Sequence, residues 1–193
     1  ESPLMPQSQK NRGLGLEDLF YAHANNPEEM KSTDIVEHLP TLKKYGEKVS
    51  HITELGTRYG SSTLALLAAN PDKMISYDIV ETPEMSELIK LSKHSTINFT
   101  FIVADSLEIN VEKTDLLFID TLHTYNQLFS ELMKHAENVN KYIILHDTTT
   151  FGLRDECIYG HASEKLKSMT IKKTGLKKAL KDFMRCNKQW GIN

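Results

Sequence analysis

Glu54-Leu-Gly-Thr-Arg-Tyr-Gly-Ser-Ser-Thr63 is the stretch on which the fold of this chain turns. An apolar run, near Val49–Leu55, precedes it, and an apolar helical pattern over Ser61–Ala69 follows, so it reads as strand, glycine turn and helix start. Gly56 permits a tight turn and close approach of a ligand to the backbone. Gly60, Ser61, Ser62 and Thr63 fall where a helix begins, with unpaired N–H groups and hydroxyls suited to capping. A strand-to-helix turn that merely needs a glycine and a cap would carry the same residues.

Outward from this loop the same alternation repeats. Further strands are expected near Met74–Ile79, Phe99–Val103, Leu116–Asp120 and Tyr142–His146, with helices near Pro83–Lys93 and Tyr125–Asn138. Strand and helix at this spacing mean βαβ units and a mostly parallel sheet. The runs Asp115–Asp120 and Lys141–Asp147 are apolar without alternation, as expected of strands covered on both faces. The predicted fold class is therefore α/β: a Rossmann-like, doubly wound sheet flanked by helices, with ligands at the carboxyl ends of the strands. Each strand ends at or near an acid, namely Glu54, Asp78, Asp105, Asp120 and Asp147, which would line one rim.

The chain has 193 residues, which suits one domain with a real core. Residues 1–32 read as a polar, turn-rich arm with a short helix around Leu16–His23, and residues 33–193 as the catalytic domain. Ser32-Thr-Asp-Ile-Val-Glu37 looks like a capped helix start running to about Tyr45. A net charge of -3 gives no electrostatic case for nucleic acid or an anionic membrane. The lysines between Lys165 and Lys181 read as a solvated helix face. Two cysteines, Cys157 and Cys186, have no metal-ligand spacing and fit free thiols in a reducing, cytoplasmic setting. No apolar run reaches the roughly 18 residues of a membrane span. The first residue is Glu1, so a piece of a larger polypeptide is one expectation; a homo-oligomer is another.

The loop departs from G-x-G-x-x-G, since three residues separate Gly56 from Gly60. That spacing argues against a dinucleotide pyrophosphate, and an acid at Glu54 would repel one while suiting a cationic methionine moiety. Asp78, 24 residues after Glu54, stands where a ribose hydroxyl pair is gripped. Asp105 and Ser106 could bond an adenine amino group; a loop cap is the competing role for Asp105. The cofactor expected is S-adenosylmethionine, held by Glu54, Gly56, Thr57, Gly60, Ser62, Thr63, Asp78, Asp105 and Ser106.

Glu54-x-Gly56-x-x-x-Gly60-x-Ser62-Thr63, Phe118-Ile-Asp120-x-x-His123-x-Tyr125 and Ile144-Leu-His-Asp147-Thr together resemble one branch of class I methyltransferases. It is the branch of macrocin-type sugar O-methyltransferases and the proteins called cephalosporin hydroxylases; Gly175–Phe183 to Trp190 is similar to that group's late helix. The resemblance covers roughly Thr33 to the end. It implies a divalent metal, Mg²⁺ or Mn²⁺, that chelates the acceptor's hydroxyls, with Asp120 and Asp147 at ligand positions and His123 at the position of a general base. Family members often carry a carboxylate or amide beside Asp147; here His146 and Thr148 are the neighbours, and either, or water, could be the third ligand. The acceptor implied is a sugar hydroxyl on a glycan or small glycosylated metabolite. The fold normally finishes with an antiparallel strand pair, of which Lys188–Asn193 offers only one candidate.

The chemistry is coherent without the resemblance. A hydroxyl is a poor nucleophile until its proton is removed or its pKa lowered, which a Lewis-acid cation and a histidine base do. Blander roles compete: Asp120 as a helix cap, His123 bonded to backbone, His146 orienting Asp147, Glu54 capping its own loop. The competing functions are a nucleotide-linked oxidoreductase and a non-catalytic binding module attached to a glycosyltransferase.

Overall fold

The computed structural model describes residues 15–26, 34–157, 162, 164–170 and 172–192. Helix α1 (Leu16–Asn25) and, after a short 3-10 turn at Val36–His38, helix α2 (Leu39–Gly46) precede the sheet. Then come β1 (His51–Leu55), α3 (Ser61–Ala68), β2 (Lys73–Asp78), α4 (Pro83–Ser92), β3 (Asn98–Val103), β4 (Thr114–Ile119), α5 (Tyr125–His135) and β5 (Val139–Leu145). A 3-10 turn at Ala136–Asn138 joins α5 to β5, and two further helices, α6 (Glu164–Lys167) and α7 (Leu176–Cys186), complete the described elements. The Ser32–Thr33 part of the expected helix cap lies outside the described residues.

The five strands are all parallel, in the order β3-β2-β1-β4-β5. Strand order reverses between β1 and β4, which makes the carboxyl ends of these two strands the switch point. Alternation along each strand feeds two separate cores. Ile52, Met74, Leu116 and Phe118 face α1 to α4, whereas Leu55, Ile75, Tyr77, Leu117 and Ile119 face the layer of α5 and α7. This two-sided burial is why the strand sequences show no polar alternation. Truncating Phe118, which is 1% exposed, to alanine should cost about 3–5 kcal/mol.

Local chemistry sets the helix starts. Thr82 accepts the Met85 N–H with Pro83 in the first turn of α4, and Thr124 accepts the Gln127 N–H at the start of α5. The C-terminal basic residues are not all on a free solvated face: Lys173, Lys178 and Arg185 converge on Asp182, which also accepts the Tyr125 hydroxyl at 3.0 Å. That cluster pins α7 to α5. Residues 188–192 are turn and coil, so the expected strand there does not form among the described residues. No helix among the described residues is long and apolar enough to cross a membrane.

Candidate active site

Past the end of β1 the ladder continues for one more bond on each side. Gly56 N–H donates to the Tyr77 carbonyl at 2.8 Å, and Asp120 N–H donates to the Leu55 carbonyl at 2.8 Å. His146 N–H likewise bonds the Ile119 carbonyl, at 3.1 Å. The strand-end loops are thereby stiff continuations of the sheet. They surround a cavity of about 610 Å³ lined by residues that follow each of the five strands, from Gly56 to Asp147.

On one side of the cavity lies the glycine loop. Gly56 has φ +87°, and a Cβ there would stand 2.1 Å from the Asp120 carbonyl oxygen, so only glycine lets the loop pass the end of β4. Asp78 Oδ2 accepts the N–H groups of Thr57 (2.7 Å) and Arg58 (2.9 Å), together with the Thr57 hydroxyl. The acid therefore shapes the loop, and Oδ1, which accepts only a longer bond from Val80 N–H at 3.2 Å, is the freer oxygen. Gly56, Thr57, Ser62, Asp78, Asp105 and Ser106 all line the cavity, whereas Gly60 and Thr63 do not.

Glu54 does not reach the cavity, contrary to expectation. Strand alternation turns it to the α3 side with Ile52, where it is 0% exposed. There it accepts hydroxyl bonds from Ser62 (2.7 Å), Thr63 (2.8 Å) and Ser76 (2.6 Å), tying the first turn of α3 to β1 and β2. Burial pushes its carboxyl up to about 7 despite these three donors. The rim thus carries four of the five expected acids.

A second buried acid, Glu131, escaped sequence reasoning. It takes Ser106 Oγ–H at 2.6 Å, Gln127 Nε2–H at 2.7 Å and Thr121 Oγ1–H at 2.9 Å, and burial raises it to about 7 as well. Ser106, Gln127 and Thr121 all line the cavity, so one buried carboxylate fixes three wall residues. Only the i, i+4 spacing of Gln127 and Glu131 was visible in the sequence.

Next to the glycine loop, past the ends of β4 and β5, Asp120, His123, His146 and Asp147 gather. His123 Nε2 and His146 Nδ1 each lie 3.1 Å from Asp120 Oδ1, and they lie 3.8 and 3.7 Å from Asp147 Oδ2. Burial would raise the Asp120 carboxyl, but the hydrogen bonds and charges of the two histidines hold it at about 2. Burial lowers both histidines, and the carboxylates beside them more than restore the protonated forms, leaving both raised. Asp147 sits at φ +53°, a left-handed conformation costing a non-glycine residue about 1–2 kcal/mol, and its carboxylate points to the same spot. His146 is 7% exposed and stands behind Asp120 rather than in the cavity wall; Thr148 does not line the cavity. The ligand atoms of Asp120, His123 and His146 lie within 4.8 Å of one another, a donor set that fits a divalent cation.

No family model and no curated protein matches the sequence. Solved structures do match. A Staphylococcus aureus protein provisionally named a caffeoyl-CoA O-methyltransferase aligns with a TM-score of 0.55 at 16% identity, covering 93% of this chain and 84% of that one. Cofactor-bound Rv0187 from MTB aligns with a TM-score of 0.52 at 15% identity, over 79% and 77%. At such identities the likeness establishes the architecture, and that architecture is the Rossmann-like fold of class I methyltransferases.

Proposed function

We propose that this chain is an S-adenosylmethionine-dependent O-methyltransferase that uses a divalent cation to activate a sugar hydroxyl. The observation that carries the reading is a cavity shared by a non-dinucleotide glycine loop and the cluster of Asp120, His123, His146 and Asp147. Gly56, Thr57 and Ser62 would hold the methionine end of the cofactor, Asp78 the ribose, and Asp105 with Ser106 the adenine. S-adenosylmethionine supplies an electrophilic methyl group, and a cation held by Asp120, His146 and Asp147 would lower the acceptor hydroxyl's pKa.

The chain's own groups do the rest. Asp120, kept ionised at neutral pH, gives the acceptor side a fixed negative charge. The stiff strand ends hold both halves of the cavity in register, so that acceptor and methyl donor meet at short range. The Phe151 ring and the Glu156 carboxylate form the wall beside His123, an apolar face next to a polar group that supports a carbohydrate acceptor.

Calorimetry with S-adenosylmethionine, S-adenosylhomocysteine and NAD, each with and without Mg²⁺ or Mn²⁺, tests the cofactor. Binding of NAD alone would favour the oxidoreductase. Glycan acceptors with a readout of S-adenosylhomocysteine release test the reaction; no product with any acceptor would leave a binding module.

A further inference from the structure

His123 occupies the position that the resemblance gives to a general base, but its surroundings are those of a ligand. Its Nδ1 lies 3.0 Å from Glu156 Oε2, and the same oxygen accepts the His123 backbone N–H at 3.1 Å. Glu156 N–H returns a bond to the His123 carbonyl at 2.8 Å. The ring also stacks on Phe151, with centroids 5.0 Å apart and planes 2° from parallel. The loop carrying Glu156 is itself anchored: Asp155 Oδ1 accepts Tyr125 N–H at 2.8 Å and Gly175 N–H at 2.7 Å. This histidine is held on every side.

With Nδ1 turned to Glu156, Nε2 is the nitrogen that faces Asp120 and Asp147. A free base needs one nitrogen open to the acceptor hydroxyl, and here both are committed. Separations between donor atoms sharing one cation at about 2.1 Å are roughly 3.0 Å for adjacent octahedral positions and roughly 3.4 Å for tetrahedral ones. The two contacts of 3.1 Å that link the histidine nitrogens to Asp120 fall between those values, whereas those to Asp147, at 3.7 and 3.8 Å, are longer than either. A closed hydrogen-bond network would instead satisfy its members. Yet His146 Nε2 is buried with no hydrogen-bond partner among the described residues, so the side chain meets polar groups only through the nitrogen aimed at the cluster.

We propose that His123 is a metal ligand rather than the proton acceptor, that Glu156 is the residue positioning it, and that the resulting set of two histidines and Asp120 takes a transition cation in preference to Mg²⁺. This rests on the metal-dependent reading above. Imidazole nitrogen suits Mn²⁺, Fe²⁺, Co²⁺ and Zn²⁺ progressively better than the oxygen-seeking Mg²⁺, and a ligating histidine donates its other N–H to a carboxylate, as His123 does to Glu156.

Two measurements on the full chain test it, neither of which needs turnover. In competition with a chromophoric chelator, wild type should bind Co²⁺ and Zn²⁺ at least about 100-fold more tightly than Mg²⁺. His123→Ala should weaken Co²⁺ binding by more than about 100-fold, and Glu156→Gln, which preserves shape, by about 10–100-fold. Pulsed paramagnetic resonance of the Cu²⁺-loaded protein should show two imidazole nitrogens in wild type and one in His123→Ala. Equal Mg²⁺ and Co²⁺ affinity, or fewer than two nitrogens in wild type, overturns the proposal even if a variant fails to fold. A two-nitrogen centre in a protein that never transfers methyl groups would sink the methyltransferase reading and leave this one standing.

Discussion

Gly56→Ala should damage both halves of the cavity at once. The backbone there has φ +87°, which costs an alanine about 1–2 kcal/mol. The added Cβ would lie 2.1 Å from the Asp120 carbonyl oxygen and 2.7 Å from its carbonyl carbon, where real Cβ contacts stay beyond 3.0 Å. The Asp120 peptide must therefore retreat by roughly 0.9 Å, while the Leu55–Asp120 hydrogen bond holds the two chains together. Overpacking of this kind adds about 1–3 kcal/mol, for a total near 2–5 kcal/mol. The same retreat pulls Asp120 away from two histidine contacts of 3.1 Å, and a misplacement of about 1 Å is enough to cost about 100-fold in function. Gly60→Ala is the control. Its φ of +81° carries the same dihedral cost, but its Cβ meets only the Met85 sulfur at 2.9 Å and Leu88 Cδ2 at 3.2 Å, both ends of flexible side chains. Urea unfolding and chelator competition for Co²⁺ measure the two effects. Gly60→Ala should lose about 1–2 kcal/mol and keep its metal affinity, whereas Gly56→Ala should lose more of both. Equal behaviour of the two variants would refute the claim that loop and rim are in atomic contact.

Other expectations are simpler to state. Glu54 and Glu131 are raised to about 7, so between pH 4.5 and 7 the folded chain binds protons that the unfolded chain has released. Their stabilising contribution is complete below about pH 4.5 and is lost as pH rises towards 7, by at most roughly 3 kcal/mol each. Urea midpoints of Glu131→Gln should accordingly depend less on pH across that window than those of wild type; an identical slope would show that Glu131 does not titrate there. Asp78→Ala removes the acceptor of two loop amides, each such bond to a charged group being worth about 1.5–3 kcal/mol, and should weaken S-adenosylhomocysteine binding by at least about tenfold. An unchanged Kd in calorimetry would remove Asp78 from the cofactor site. Asp147→Ala should abolish turnover and leave cofactor affinity within about threefold, since its carboxylate faces the histidines rather than the glycine loop. Full turnover in that variant would rule out chelation.

What the sequence discloses here depends on the range of the interaction that carries it. All five strands and the helices between them follow from runs of buried residues and from caps such as Thr82 and Thr124, whose effects stay within a few residues. The positions of Asp78, Asp105, Asp120 and Asp147 on one rim follow too, because a parallel sheet sends every carboxyl end the same way. Glu54 breaks that rule for a local reason. It is one residue short of the end of β1, so the two-residue period turns it under α3, where three hydroxyls receive it. Glu156 illustrates the opposite limit. It is 33 residues from His123, in a stretch whose polar and aromatic composition hints at an acceptor wall but not at a contact. Its role becomes visible only when Asp155 pins that stretch to the starts of α5 and α7. The motif around Asp120 therefore places the acid and its histidine at one strand end, while the contact that holds the far side of that histidine comes from a distant residue behind the ring.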